Sequence, residues 1–278
     1  MTDKAANVIA LITDFGTRGL HYVASMKGVI LKINPHALIV DITHDISSYS
    51  IIESAYLVKS SYKHFPKNTV FVIVVDPGVG SSREILAIKS KSNHFFIGPN
   101  NGVFSNIMKS EKILTCVEVK HEKYFNLPIS STFHGRDIMA PVAAHVTNGV
   151  ALNDLGPYFD VQDITKCPIT YEVDEENKQI EATIQFIDSF GNITTNIPIR
   201  SNFIKGTALS IVFGNKIKVQ LKNKIFEGKV TTHFSTEPKN VLLFLIGSSG
   251  FLEISINQSD ASRALSLKVG DTLKVLLE

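Results

Sequence analysis

Runs of apolar residues alternate with segments of helical periodicity in the first half of the chain. The runs predict strands over 7–12, 37–42 and 70–75, and each strand is followed by polar residues. Between them, apolar residues recur at three- and four-residue spacing over 22–33 and over 52–65, as in helices that pack one face against a sheet. This order of strands and helices, with short connections, predicts an α/β domain whose central sheet is mainly parallel.

The pattern changes in the second half of the chain, where short runs of alternating apolar and polar residues replace the helical spacing. Alternation is clear over 180–186, 209–213 and 217–221, and Gly-Asn or Gly-Asp pairs separate the runs. Such spacing predicts an all-β domain built as a small barrel or sandwich. We therefore expect two domains, an α/β domain over 1–165 and a smaller, barrel-like β domain over 171–278.

The third predicted strand ends abruptly at residues that could carry chemistry. Residues 70–75 are all apolar and mostly β-branched, and the following Asp76-Pro77-Gly78 cannot continue a strand. The carboxylate of Asp76 is therefore expected at the carboxyl end of a central strand, where open α/β sheets bind their ligands. Arg83 follows a glycine-rich loop that is long enough to fold back towards Asp76. An ordinary strand-end turn capped by Asp76 is the alternative that this stretch alone leaves open.

The same loop matches a dinucleotide-binding fingerprint only in part. Residues 78–83 fit five of the six positions of G-x-G-x-x-G, but Arg83 stands where the third glycine is required. Residues 84–89 are predicted to form a strand, whereas the fingerprint requires a helix at that point. No nicotinamide or flavin cofactor is expected.

Composition argues against several classes of protein. With 44% hydrophobic and 19% charged residues, a net charge of +2 and no basic stripe, the chain is typical of a soluble globular protein that does not bind nucleic acid. Its longest apolar run, 241–247, is too short to span a membrane. The polar start of the chain predicts no signal peptide, and two isolated cysteines, Cys116 and Cys167, are typical of a cytoplasmic protein. The nine histidines lack metal-ligand spacing, so we expect no metal site.

Polar turns in the first domain are expected to converge. Asp14 follows the first strand, and His134 precedes an alanine-rich helix over 139–146. Because the strand ends of a doubly wound sheet meet at one edge, Asp14, Asp76 and His134 can share a cleft. A histidine with its ordinary pKa of about 6.5 could act there as a general base. Arg83 would stay charged and keep Asp76 ionised.

Two polar segments interrupt the apolar strands of the second domain. Residues 187–196 are dense in hydrogen-bonding groups, and 247–250 read Gly-Ser-Ser-Gly directly after an apolar run. Either segment alone could be a simple turn. Two such segments with aromatic neighbours are better explained by a pocket in which a ring stacks.

The chain resembles the S-adenosylmethionine hydroxide adenosyltransferase family, the SAM hydrolases, which are relatives of the fluorinase and the chlorinase. The resemblance covers nearly the whole length and rests on seven motifs in order. They are Thr13-Asp14-Phe15-Gly16, Asp41-Ile42-Thr43-His44, Val75-Asp76-Pro77-Gly78-Val79-Gly80, Gly98-Pro99-Asn100-Asn101-Gly102, Phe133-His134-Gly135-Arg136-Asp137, Phe190-Gly191-Asn192 with Thr195-Asn196, and Ser248-Ser249-Gly250-Phe251-Leu252-Glu253.

The resemblance implies a reaction and an assembly. The family converts S-adenosylmethionine and water into adenosine and L-methionine by attack at the ribose C5′ atom, without a cofactor. The family's catalytic Asp-Arg-His trio matches Asp76, Arg83 and His134. Its members look like homotrimers in which the N-terminal domain of one subunit and the β domain of the next enclose the substrate.

The resemblance also implies a role for each substrate-binding residue. Asp14 would bind the ribose hydroxyls and Asn192 the adenine edge, while Phe190 and Phe234 would pack on the adenine ring. Asp188 would bind the methionine ammonium and Ser249 the methionine carboxylate. The match of Phe234 rests only on its distance in sequence from Ser249.

Three alternatives remain open at the level of sequence. A halide-dependent adenosyl transferase is disfavoured because that branch lacks the Asp and His of the trio and carries an extra loop, which this chain does not show between 102 and 133. A binding sensor without turnover would not need His134 near C5′. A purely structural interaction protein would not need polar loops clustered at strand ends.

Overall fold

The computed structural model describes residues 7–277, which form two compact units divided between Cys167 and Pro168. The first unit contains six strands and four α-helices within the described residues. The strands are β1 (Val8–Thr13), β2 (Leu38–Thr43), β3 (Val70–Val74), β4 (Ile85–Ser90), β5 (Phe95–Pro99) and β6 (Ile113–Glu118). The helices are α1 (Leu20–Ile33), α2 (Ile51–Ser61), α3 (Ser105–Ser110) and α4 (Ala140–Thr147).

The six strands of the first unit form one sheet in the order β2-β1-β3-β5-β4-β6. Strands β2, β1, β3 and β5 are parallel to one another, as predicted, whereas β4 runs antiparallel to both β5 and β6. The reversal follows from the short turn between β4 and β5, in which Asn93 has a φ of 62°. A turn of this length can join only antiparallel strands.

Both faces of the sheet are covered, which explains the unbroken apolar runs in β1 and β3. Every residue of these two strands is buried. The side chains of β1 and β3 on one face of the sheet pack with α1 and α4, and those on the other face pack with α2 and α3. A strand that is buried on both faces needs apolar residues at every position.

The second unit consists almost entirely of strands, with one short helix, α5 (Ala261–Leu265). Its strands are β7 (Tyr171–Asp174), β8 (Gln179–Ile187), β9 (Ile193–Arg200), β10 (Phe203–Ile204), β11 (Lys216–Leu221), β12 (Lys224–Val230), β13 (Leu242–Ile246), β14 (Phe251–Ile256) and β15 (Thr272–Leu277).

Seven of these strands close into a barrel, so the prediction of a barrel-like domain is confirmed and the sandwich is excluded. The strand order is β9-β14-β13-β12-β11-β15-β8, and β8 pairs with β9 to complete the ring. Alternate residues point inward; in β8 these are Ile180, Ala182 and Ile184, which belong to the barrel core. The alternation of apolar and polar residues in the sequence therefore corresponds to side chains that point alternately into the barrel and out of it.

None of the helices within 7–277 has both the length and the apolar character needed to cross a membrane.

The loop between β3 and β4 lies close against the loop that precedes α4, and Gly80 allows this approach. Gly80 has a φ of 80°, and a Cβ atom added to it would lie 2.3 Å from the backbone oxygen of Ser131. No side chain fits between the two loops at this point, so any larger residue must push them apart.

We expect Gly80→Ala to destabilise the protein more than Gly149→Ala. Gly149 also has a positive φ, 93°, but nothing lies within 4 Å of its Cβ position. Gly149→Ala should therefore lower the free energy of unfolding by about 1 kcal/mol through backbone strain alone. Gly80→Ala adds a backbone clash and should cost about 2 kcal/mol or more. Urea unfolding of both variants measures the difference, and equal losses would contradict the close approach of the two loops.

Candidate functional site

A cleft of about 240 Å³ opens at the carboxyl ends of β1 and β3 in the first unit. Asp14 and Asp76, which follow these strands, line it together with Tyr49 and His134 from the loops before α2 and α4. The structure thus places Asp14, Asp76 and His134 in one cleft, and Arg83 contacts two of the three. The polar turns at the strand ends meet because the strands that carry them are parallel neighbours.

The Arg83 guanidinium holds the Asp76 carboxylate by several hydrogen bonds. Arg83 Nε lies 2.9 Å from Asp76 Oδ1 and 3.0 Å from Oδ2, and Nη2 lies 2.5 Å from Oδ2. The two side chains are only 12% and 5% exposed. A charged pair that is so well buried must be closely matched, because each charge has given up its water.

A tight turn brings Arg83 back to Asp76. The Val79 N–H donates to the Asp76 carbonyl over 3.2 Å, and the Ser81 N–H donates to the Gly78 carbonyl over 3.0 Å. The Ser81 hydroxyl then accepts from the Arg83 N–H over 3.3 Å. The glycine-rich stretch therefore serves as a turn that returns an arginine to its carboxylate.

His134 completes the group through a second contact of Arg83. Arg83 Nη2 lies 2.8 Å from His134 Nδ1. A guanidinium has donors only, so Nδ1 must accept, and the ring must be neutral with its proton on Nε2. Burial lowers the pKa of His134, and the Arg83 charge lowers it further, against smaller opposing effects of Asp76 and Asp137. In this arrangement His134 presents an N–H donor and has no free nitrogen that could accept a proton.

The backbone around His134 is wider than an α-helix. Residues Gly135–Met139 form one turn of π-helix that leads into α4. A Cβ atom on Gly135 would lie 2.8 Å from Val74 Cγ1, so the missing side chain lets this turn lie directly on the end of β3. Such wide turns are frequent at functional sites, and this one begins directly after His134.

Asp137 anchors the loop that carries His134. Its fully buried carboxylate accepts from Arg136 Nε at 2.7 Å, from Asn126 Nδ2 at 3.0 Å and from the Ser130 N–H at 2.9 Å. Burial alone would raise the pKa of Asp137, but these donors outweigh it and lower the pKa. Asp137 is therefore an ionised structural group behind the cleft, and not a proton donor within it.

Asp14 also lines the cleft, and its carboxylate is held by the backbone of Tyr49. The Tyr49 N–H donates to Asp14 Oδ2 over 2.8 Å. Burial raises the pKa of Asp14, and the nearby charge of Asp76 adds to the increase. Tyr49 reaches this position with a φ of 67°, which is unusual for a residue of its size.

Sequence reasoning missed the aromatic residues of the cleft. The Tyr49 side chain is 70% exposed, and Phe15 and Phe133 also line the cleft, with ring centroids 5.9 Å apart. In the sequence, these residues could have been found as aromatic residues within polar turns. Tyr49 lies among serines before α2, and Phe15 and Phe133 lie directly beside Asp14 and His134.

In the second unit, Asp188 organises the first polar segment. Asp188 Oδ1 accepts from the N–H groups of Phe190 and Asn192, both over 2.9 Å, and Oδ2 accepts from Asn192 Nδ2 over 2.9 Å. The Phe190 side chain is 76% exposed. The structure thus brings Asp188, Phe190 and Asn192 together in one turn.

The other predicted residues of this unit lie on separate loops. Ser249 is in the turn between β13 and β14, and Phe234 is in a short 3-10 helix, Phe234–Thr236, where it is 43% exposed. Glu253, which sequence reasoning missed, connects the two polar segments. A Cβ atom added to Gly247 would lie 3.1 Å from Glu253 Oε2, so Glu253 lies close to the second polar segment. Burial raises the pKa of Glu253, and the charge of Asp188 in the first segment raises it further.

Among residues 7–277, no group of three or more His, Cys, Asp or Glu side chains is arranged to hold a metal ion.

Comparison with protein families matches both units. The description "SAM hydroxide adenosyltransferase N-terminal domain" applies to residues 9–156, and "SAM hydroxide adenosyltransferase C-terminal domain" applies to 182–274. The chain is 34% identical to (R)-S-adenosyl-L-methionine hydrolase from Methanocaldococcus jannaschii, over 99% of this chain and 98% of the relative. A fluorinase from an Actinoplanes species is more distant, at 24% identity over 96% and 97% of the two chains.

A solved structure is also similar over the full length. The crystal structure of a conserved protein from Thermotoga maritima superposes with a TM-score of 0.88 and 36% identity, covering 96% of this chain and 99% of that one.

We expect Arg83→Met to raise the pKa of His134. The substitution removes the positive charge that lowers this pKa and leaves Asp76, which raises it. Burial, the largest cause of the depression, remains. NMR titration with ¹³C-labelled histidine measures the change. His145, whose pKa is lowered by burial alone, is the internal control and should titrate as before. An unchanged His134 titration would contradict the contact with Arg83.

Proposed function

Because the chain belongs to the SAM hydroxide adenosyltransferase family, we propose that it hydrolyses S-adenosyl-L-methionine to adenosine and L-methionine. The observation that carries the proposal is the buried Asp76–Arg83–His134 group at the strand ends of a chain that matches both domains of the family. Water attacks the ribose C5′ atom, the C5′–S bond breaks, and sulfur keeps the electron pair. Water loses one proton, so the cationic substrate and water give two products and a proton.

The chemistry of the substrate sets modest demands on the protein. The sulfonium leaves as a neutral thioether, so the leaving group needs no general acid, metal or redox cofactor. The reaction does need a water molecule held in line behind C5′ and shielded from bulk solvent. Attack by a partly anionic oxygen on a cation cancels charge, and a cleft of low dielectric constant favours such a step.

The hydrogen bonds of the trio support a different task for each of its members. His134 offers its Nε2–H to the oxygen of the attacking water and so fixes the position of that oxygen. Both oxygens of Asp76 accept from Arg83, but a carboxylate has about four lone-pair sites, so Asp76 can still accept the proton that the water loses. Arg83 holds the other two side chains in place and stays charged throughout.

In the proposed assembly, substrate recognition divides between the first unit of one copy and the second unit of another. In the first unit, Asp14 accepts hydrogen bonds from the ribose hydroxyls, held in position by the Tyr49 N–H. In the second unit, Asn192 binds the adenine edge with Phe190 and Phe234 on the ring.

The methionine end of the substrate is bound in the second unit as well. Asp188 binds the ammonium and Ser249 the carboxylate. Glu253, whose pKa is raised by burial and by Asp188, adds negative charge near the ammonium site.

The proposal includes self-association as a homotrimer that completes the site. The first-unit cleft of about 240 Å³ is smaller than the roughly 300 to 1,000 Å³ of typical ligand pockets, which supports the proposal that a second protein surface helps to enclose the substrate. The first unit also exposes apolar side chains: Leu20 and Leu31 on α1 are 53% and 45% exposed, and Leu38 on the edge strand β2 is 61% exposed. A second copy would bury them favourably.

Incubation of the purified protein with S-adenosylmethionine in halide-free buffer should release adenosine and methionine in equal amounts. We expect Asp76→Ala and His134→Ala to lower kcat about 100-fold or more, because each removes a group that contacts the attacking water. The affinity for adenosine should stay within about threefold. Chromatography of the products and calorimetry of adenosine binding measure the two quantities.

Other outcomes identify other functions. Substrate that remains intact but bound to the protein indicates a sensor without turnover. A 5′-halogenated adenosine that forms only after a halide is added indicates halide-dependent transfer. Unchanged turnover in both variants would move the reaction away from the trio.

Light scattering of the purified protein should give a mass near three times the 30.6 kDa of one chain. Leu38→Glu should lower this mass, because it places a charge on the apolar surface of β2. The control is Leu114→Glu on β6, at the opposite edge of the sheet, where leucine is 52% exposed. A protein that is monomeric at micromolar concentration would contradict the proposed assembly.

A further inference from the structure

The loop that carries Asp76 and Arg83 crosses over the end of a strand. The sheet order places β5 between β3 and β4, so the chain must leave β3, pass the carboxyl end of β5 and enter β4. Asp76 and Arg83 lie within this crossing. The residues at the end of β5 can therefore support the loop that carries both side chains.

Two consecutive asparagines stand at this end of β5, and neither has a role in the reaction as described above. Asn101 Nδ2 donates to the Val75 carbonyl over 2.9 Å. Asn100 Nδ2 donates to Glu84 Oε2 over 3.0 Å, and the Asn100 N–H donates to the Glu84 carbonyl over 2.9 Å. Val75 is the residue before Asp76, and Glu84 is the residue after Arg83.

The contact with Val75 satisfies a backbone group that the sheet leaves without a strand partner. The parallel ladder between β3 and β5 ends at Val72 and Ile97, and β3 itself ends at Val74. Val75 is fully buried. A buried carbonyl needs a donor, and Asn101 supplies it at the peptide that leads into Asp76.

The hydrogen bond between Asn100 and Glu84 also has a fixed geometry. Asn100 is 8% exposed, and its Oδ1 accepts from the Thr165 N–H over 2.8 Å, which fixes the direction of the amide. The hydrogen bond from Asn100 is the largest cause of the lowered pKa of Glu84. The residue that follows Arg83 is thus held by both its backbone and its side chain.

We propose that Asn100 and Asn101 are positioning residues that hold the two ends of the 75–84 loop and thereby keep Arg83 in contact with both Asp76 and His134. We call this pair the asparagine clamp. The inference rests on the proposed function for its effect on the reaction, but the geometry that it controls can be measured without substrate. Without the clamp, the ends of the loop can shift, and a shift of about 1 Å is enough to lower a reaction rate about 100-fold.

The test compares Asn101→Ser with Asn148→Ser. Serine is neutral and too short to reach the Val75 carbonyl. Asn148 Nδ2 donates to the backbone carbonyl of Ile33 over 3.1 Å, so the control loses a bond of the same kind at the far end of α4.

The first measurement is the ¹³C-histidine titration of His134, which needs no substrate. In Asn101→Ser the pKa of His134 should rise, because the Arg83 charge that lowers it is no longer held against Nδ1. In Asn148→Ser the titration should match that of the unsubstituted protein. The second measurement is steady-state hydrolysis of S-adenosylmethionine, where Asn101→Ser should lower kcat at least 10-fold with KM within about threefold.

The proposal requires both changes in Asn101→Ser and neither in the control. A lower kcat with an unchanged titration, or a shifted titration with normal kcat, overturns it. Equal effects in the two variants also overturn it, because the bond then has only a general structural role. If the unsubstituted protein does not hydrolyse S-adenosylmethionine, the proposed function fails, and the titration alone decides on the clamp. If Asn101→Ser does not fold, Asn100→Ser, which leaves the Val75 contact intact, is judged by the same two measurements.

Discussion

The contact of one guanidinium with a carboxylate and an imidazole determines much of the first unit. Arg83 has hydrogen-bond donors only. It therefore places a positive charge against the Asp76 carboxylate and fixes the tautomer of His134. The pair with Asp76 is nearly closed to solvent, and a buried ion pair stabilises a protein only when its geometry is close to ideal. The surrounding structure must therefore keep three side chains, from two loops, aligned with one another.

Several features that look unrelated serve this alignment. Gly80 lets the Arg83 loop lie against the backbone of Ser131. Gly135 lets the start of the π-helical turn lie on β3, and Asp137 holds the loop from behind. The reversal of β4 matters as well, because it makes the loop cross the end of β5, where it can be held at both ends. The geometry of the site therefore depends on the topology of the sheet.

The sequence predicted what depends on local pattern and missed what depends on distant contacts. The strands β1 and β3 were predicted because burial on both faces requires continuous apolar runs, and the strand ends then indicated Asp14 and Asp76. Alternation and turn residues indicated an all-β, barrel-like domain, but they left a sandwich open because closure depends on the pairing of β8 with β9. The antiparallel β4 was not predicted, since its direction depends on a short turn and a distant partner, β6. Tyr49, Glu253 and the asparagine contacts were missed because each acts on a residue distant in sequence.

The distribution of charge fits a reaction in which a positive charge disappears. In the proposed reaction, the charges of Asp76, Arg83 and neutral His134 sum to zero, so the trio would not hold the sulfonium in a strong ion pair. A strong ion pair there would stabilise the substrate more than the transition state, in which the positive charge is already fading, and would slow the reaction. The carboxylates of Asp188 and Glu253 instead belong to the second unit, where burial and the neighbouring Asp188 raise the pKa of Glu253. In the proposed complex the methionine ammonium lies at that end and keeps its charge throughout the reaction, so attraction there would strengthen binding without opposing the step at C5′.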